Sequence, residues 1–161
     1  MKKIKLGFYT DDDLQFLHEL LSDKETRKYF PLMYTTSIEQ SYLRLQMRLM
    51  DQEAEYANRF VIRDILTRRP VGEISGRTAF DIPSVMELAI IIHPAFRGKG
   101  FAKAGAVEFM KHIIKSKKDI TKFRMEIADS NNASLAVAHK LEFEFVKNKN
   151  EDMQYWEKDA R

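Results

Sequence analysis

The 161-residue sequence has no cysteine, which excludes disulfides, thiolate metal sites and a cysteine nucleophile. It also has no apolar run approaching the ~20 residues of a membrane span, and Lys2, Lys3 and Lys5 have no apolar segment behind them, so no signal peptide is read at the start. A cytoplasmic enzyme with no membrane partner is the simplest expectation. With only six glycines and four prolines, there is no low-complexity stretch or linker. The four histidines, His18, His93, His112 and His139, show no metal-ligand spacing, so no metal is expected; His93, before Pro94 at a strand end, reads as a bulge residue and the others as solvated helix positions. The net charge of +3 is mild and its cations are interleaved with acids, so a nucleic-acid surface is not indicated.

What the chain does have is ordinary for a globular protein: 44% hydrophobic and 32% charged residues. Its length predicts one domain, residues 1–161, burying about two-thirds of its unfolded surface. Thr10 followed by Asp11, Asp12 and Asp13 predicts a helix start, with Leu14, Leu17 and Leu21 at helical spacing and Pro31 ending a short second helix. Ser37 and Gln40 form a capping-box pattern for a longer helix, whose expected inner stripe is Ile38, Tyr42, Leu45 and Leu49. Residues 60–66 and 71–78 read as a hairpin, residues 85–92 as a central strand, and 122–128 as a further strand. A helix over 133–141 and a last hairpin of 143–147 with 153–156 complete an α+β order.

The densest information lies in Glu87 to Phe109. A buried strand runs into Arg97-Gly98-Lys99-Gly100, and a helix carrying Phe101, Ala104, Val107, Met110 and Ile114 on one stripe follows at once. Strand, glycine turn and helix N-terminus make an anion site, because the first helical N–H groups lack internal partners and the macrodipole is positive there. Arg97, Lys99 and Lys103 add charge. A P-loop does not fit: five residues before Gly98 stands His93, and Lys99 is followed by Gly100 rather than Ser or Thr. A dinucleotide fingerprint fails as well, since its third glycine place is Lys103 and the loop lies two-thirds along the chain.

The pattern that does fit is R-x-x-G-x-A, from Arg97 through Gly100 to Ala102. It resembles the coenzyme A pyrophosphate loop of the GNAT N-acetyltransferase superfamily. Asn131-Asn132-Ala133-Ser134, with Ala138 to Phe143 after it, is similar to the N-x-A-S…EKLGF block of the RimJ/RimL-like branch. Thr10 to Pro31 resembles that branch's first two helices, and Arg69 to Ile74 its "vG-x-i" strand. The resemblance covers nearly the whole chain in order. It implies the GNAT (acyl-CoA N-acyltransferase) fold, a mixed, mostly antiparallel central sheet flanked by helices, with acetyl-CoA as co-substrate and no metal.

The same resemblance implies roles. Ile91, Ile92 and His93 would offer backbone groups to the pantetheine amides, as an added strand does. Arg97, Gly98, Lys99, Gly100, Phe101 and Ala102 would cradle the pyrophosphate, and Asn131 with Ser134 would border the pantetheine arm or the leaving thiol. An acceptor amine is mostly protonated at neutral pH, so a carboxylate near the thioester must take its proton. Glu87 matches the family's glutamate, with Glu73, Glu126 or water as alternatives; for Glu87 a solvated strand end is the bland reading, and for Ser134 a helix cap. The tyrosine that many GNAT enzymes place as thiolate acid is Ala138 here. No covalent intermediate is implied, and an acyl-CoA sensor on the same fold is the rival function. Relatives in that branch acetylate protein N-termini, polyamines, amino sugars and antibiotics, so the acceptor stays open, with Tyr29, Phe30, Tyr34 and Phe80 as lining or core. Oligomeric state is not readable either, a homodimer being one option. One departure stands out: Glu142 occupies the glycine place of K-L-G-F, a position that favours left-handed backbone.

Overall fold

The computed structural model describes residues 1–52 and 58–161. Along the chain run β1 (Ile4–Gly7), α1 (Leu14–Leu21), α2 (Lys24–Tyr29), α3 (Ile38–Asp51), β2 (Arg59–Asp64), β3 (Pro70–Thr78), β4 (Val85–Ile92), α4 (Phe101–Ser116), β5 (Lys122–Ala128), α5 (Asn132–Lys140), β6 (Glu144–Asn148) and β7 (Met153–Asp159). The strands form one sheet in the order β1-β2-β3-β4-β5-β7-β6. Among the described residues only β4 and β5 pair in parallel. This is the α+β, mostly antiparallel architecture expected.

Alternation along the strands sorts residues to two faces. Val61 and Ile91 join Tyr9, Phe16, Leu17, Leu20, Leu21 and Leu45 in a core under α1 and α3. Ile62, Ile74, Met86, Leu88, Phe109 and Ile113 form the larger core under α4, and α5 joins it through Ala138 and Leu141. Each fully buried Leu or Ile contributes about 1.5–3 kcal/mol of transfer free energy, so the two cores fix both helical layers to the sheet.

The parallel pair positions the site. β4 and β5 match register from Val85↔Lys122 to Leu88↔Met125 and no further. Yet β4 stays paired to β3 as far as Ile92↔Gly72, and β5 to β7 as far as Ala128↔Met153. The two strands therefore diverge while remaining strands. From Ala89 and Glu126 onward their facing backbone edges are released from each other, a wedge open at the end where α4 and α5 begin.

Three sequence expectations change. β1 was not expected; it is a four-residue edge strand on β2. The inner face of α3 is Ser41, Leu45 and Arg48, while Ile38 and Tyr42 are exposed. Polar partners turn the helix: Arg48 Nε donates to Glu73 at 2.7 Å, and Ser41 bonds Thr35 and His18, each at 2.8 Å. His93, expected as a bulge, instead caps a short 3-10 turn (Pro94–Phe96), its Nδ1 accepting from Ala95 N–H at 3.1 Å.

Candidate functional site

The loop that closes the wedge on the β4 side carries the two glycines in left-handed backbone, Gly98 at φ 71° and Gly100 at φ 88°. A side chain at Gly98 would meet nothing within 4 Å, and one at Gly100 only Lys2 Cγ at 3.8 Å. The glycines are thus required by conformation, and the space above them is free for an anion. Gly100 caps α4, so the helix's first N–H groups point into that space. Beside it a concavity of about 530 Å³ is lined by Met1, Lys2, Lys99, Gly100 and Lys103.

The loop cations divide by role. Lys99 is exposed, its Nζ on the carbonyl of Ala95 at 3.1 Å. Arg97 is already engaged: it donates to Ile92 O at 3.1 Å and to Asp23 at 2.6 Å. Burial would push the Asp23 carboxyl up, but the Arg97 hydrogen bond and charge hold it below its ordinary range. Phe101 packs in the α4 core, leaving its backbone to the loop, and Ala102 is half-buried in the same first turn. His93 pairs with Glu19 at 3.0 Å, a bond that lowers the Glu19 carboxyl. Both contacts tie the end of β4 to α1 and α2.

The opposite lip is the β5–α5 turn. Asn131, not Ser134, caps α5, its side chain accepting from Ser134 N–H at 3.2 Å. Ser134 is left half-buried one turn inside. Tyr29, at the end of α2, donates to Ser130 O at 3.3 Å. The α1–α2 pair therefore touches both lips. Of the expected pantetheine contacts, Ile91 turns its side chain into the α1 and α3 core and Ile92 toward α4, so their backbone is what faces the wedge.

The three candidate carboxylates lie on the sheet face opposite α4. Glu73 is withdrawn from any solvent chemistry. Its side chain is 2% exposed and meets Arg48 at 2.7 Å, Arg59 and the Tyr9 hydroxyl. Burial would raise its pKa, but the two guanidiniums hold it below the ordinary carboxylate range. Burial and the Glu73 charge in turn push the Tyr9 phenol well above its usual value. Glu87 stands in the last register but one before the strands part, opposite Arg124. Its side chain is 12% exposed, 3.3 Å from Arg77 and 3.9 Å from Arg124. Glu126 is the first β5 residue beyond the last pair, 22% exposed and bonded to Lys149.

Sequence reasoning missed the hub of this face. Arg124 is buried, with Asp81 and Glu157 each at 2.9 Å and its guanidinium 4.3 Å from the Tyr155 ring. The contact with Arg124 lowers the Asp81 carboxyl and fixes the β3–β4 turn, on which Phe80 is fully exposed and not core. The signal was present: in Lys122-Phe-Arg-Met-Glu-Ile-Ala the polar residues alternate, which gives a central strand one polar, uncovered face. Among the described residues no cluster of metal-ligating side chains occurs, and no helix is long and apolar enough to cross a membrane.

Comparison with known proteins bears on this arrangement. The model of the acetyltransferase (GNAT) domain family matches residues 3–144. A GNAT-family acetyltransferase from Bacillus anthracis superposes with TM-score 0.81 at 19% identity, covering 99% of this chain and 97% of that one. Spermidine N-acetyltransferase from Vibrio cholerae, solved with CoA and spermine, gives TM-score 0.78 at 19% identity over 98% and 95%. The ribosomal L7/L12 alpha-N-protein acetyltransferase RimL, solved with CoA, gives 0.79 at 18% over 99% and 95%. At such identities the likeness establishes the shared fold. A search of curated proteins finds no match.

Proposed function

The chain belongs to the acetyltransferase (GNAT) domain family, and on that premise we propose that it transfers the acetyl group of acetyl-CoA directly to a primary amine, on a protein N-terminus or a small molecule, as a single-domain enzyme of the RimJ/RimL-like branch. The observation that carries this reading is the parting of β4 and β5 after Leu88↔Met125. It leaves strand edges for the pantetheine amides and leads straight to the left-handed Gly98 and Gly100.

The residues fit such a co-substrate. The N–H groups at Gly98 to Ala102 and the charges of Lys99 and Lys103 would hold the pyrophosphate, while Arg97 positions the loop through Asp23 and Ile92. The acceptor approaches from the open sheet face, because α1 and α3 cover only the Val61 and Ile91 side of it. Glu87, beside the wedge, takes the amine proton directly or through water, with Glu126 as its rival. The amine attacks the thioester carbonyl, the C–N bond forms, the C–S bond breaks, and CoA leaves as thiolate near Ser134. With a thiol pKa of about 8.5 the leaving group needs little acid, in keeping with a buried Ala138 where others of the family carry tyrosine.

Two measurements test this. Acetyl-CoA and CoA should raise the melting temperature while ATP and NAD do not; a ligand at one hundred times its Kd adds about 2.7 kcal/mol. Equal shifts with ATP and CoA would reduce the loop to a generic phosphate site. A CoA-release screen over peptides, polyamines and amino sugars should then show turnover; binding without release for every amine would make the chain an acyl-CoA sensor.

A further inference from the structure

We propose that Glu126 and the ring of Tyr155 form the subsite for the acceptor's alkylammonium group, and that Lys149 of the β6–β7 turn occupies it as an internal competitor. The location of the subsite at the point of transfer rests on the acetyl-transfer reading; its chemistry rests on the residues. Arg124, Glu126, Tyr155 and Glu157 share a face with Glu87, since Glu87 pairs Arg124, Arg124 pairs Glu157 and Glu126 pairs Tyr155. Glu126 is thus the first carboxylate past the parting, on the uncovered side.

A carboxylate beside an aromatic face is the composition that binds ammonium groups, by charge-assisted hydrogen bonding and by the ring quadrupole. Lys149 satisfies both halves: its ammonium bonds Glu126 and lies 5.8 Å from the Tyr155 ring centroid. The Glu126 hydrogen bond first, then the Glu126 charge and lastly that of Glu87, hold the Lys149 pKa above the ordinary lysine value against the opposing effect of partial burial. An ammonium held on Glu126, two residues along β5 from Arg124, the register partner of Glu87, stands on the face where an acceptor ammonium must arrive before losing its proton.

The contact is poorly suited to be a structural brace. Lys149 is 42% exposed and Glu126 22% exposed, and ion pairs so open to solvent stabilise little. The turn is held without it: Lys149 N–H donates to Met153 O at 2.8 Å, and the Asn150 side chain accepts from the N–H groups of Asp152 and Met153 at 2.9 and 3.0 Å. The Lys149 side chain can swing out while the backbone stays. An occupant of this kind raises the apparent Kd of any competing cation by the inverse of the fraction of time the site is free, and so discriminates against amines that bind through the ammonium alone.

The test is titration of the full chain with n-butylamine, a lysine side chain without its backbone, by calorimetry at low salt. K149A should lower the Kd by about fivefold, the effect of an occupant present four-fifths of the time. K149A with E126Q should return the Kd to the wild-type value or above, and K147A, which removes a nearby charge 5.9 Å from the same ring, should leave it within about twofold. An unchanged or higher Kd in K149A, a gain that survives E126Q, or an equal gain in K147A overturns the proposal. Melting-temperature shifts with acetyl-CoA on the same variants judge the acetyl-transfer reading separately: if wild type is not stabilised, that reading fails, while the ammonium subsite is still decided by the titration.

Discussion

Replacing Glu73 by glutamine keeps the side-chain shape but removes the negative charge set between Arg48 and Arg59. Arg48 is 6% exposed on its side chain, so its guanidinium cannot recover the loss from water. Breaking a buried pair from one side costs about 3–5 kcal/mol, because the remaining charge stays buried and uncompensated. For a chain of this length each kcal/mol moves the melting temperature by about 2–4 °C, so Glu73→Gln should melt roughly 6–20 °C below wild type. Urea unfolding with linear extrapolation gives the free energy independently. The pH dependence supplies a second signature. The folded Glu73 pKa is depressed, so its contribution is present above the ordinary glutamate value of about 4.3 and is lost as pH falls through the folded value. The gap between wild type and variant should therefore narrow as pH drops below about 4. A loss under about 1 kcal/mol, within the range of an exposed pair, would refute the reasoning, as would a gap that stays constant from neutral pH into that acid range.

Glu87→Gln should lower turnover about 10²-fold with little change in acetyl-CoA affinity, and the defect should shrink as pH rises and more acceptor is neutral without help. Ser134→Ala should cause a smaller drop that does not depend on pH; wild-type rates for Glu87→Gln across neutral and alkaline pH would pass the role to Glu126. Gly100→Val should abolish acetyl-CoA binding in a thermal-shift assay, since φ 88° excludes a branched residue, whereas Lys99→Ala should weaken it only modestly because an exposed charge is screened. Glu142 adopts φ 62°, so Glu142→Gly should stabilise the fold by up to about 1 kcal/mol in urea unfolding; destabilisation would show that its 3.5 Å contact with Lys158 outweighs the backbone strain.

The element order was legible because the long segments state their period plainly, and the Gly98–Gly100 loop because glycine at a strand–helix junction has few other uses. The left-handed backbone at residue 142 was legible from the glycine place that Glu142 takes in the K-L-G-F pattern. What escaped were features decided by tertiary partners. Arg48 reads as a surface residue of an amphipathic helix until Glu73, far along the chain, is seen to draw it inward. Glu73 itself reads as a free carboxylate on a strand until Arg48, Arg59 and Tyr9 are placed around it. Lys149 lies in a polar loop, and no spacing rule links it to Glu126. β1 is too short to declare itself by alternation.

The polar contacts of α1 and α2 with the two lips differ in kind, and the difference has a mechanical consequence. Glu19–His93 and Asp23–Arg97 join the helices to the β4 lip at 3.0 and 2.6 Å, whereas one neutral hydrogen bond of 3.3 Å, Tyr29 to Ser130, joins them to the β5 lip. Charge-assisted bonds are about twice as strong as neutral ones, so the Tyr29–Ser130 contact is the one expected to open first. With α1 fixed in its core, α2 alone would serve as a door hung on the β4 side and latched at β5. Tyr29→Phe should accordingly speed acetyl-CoA association in stopped-flow measurements while leaving the hinge side intact, and an unchanged association rate would mean that the wedge admits its ligand without the door moving.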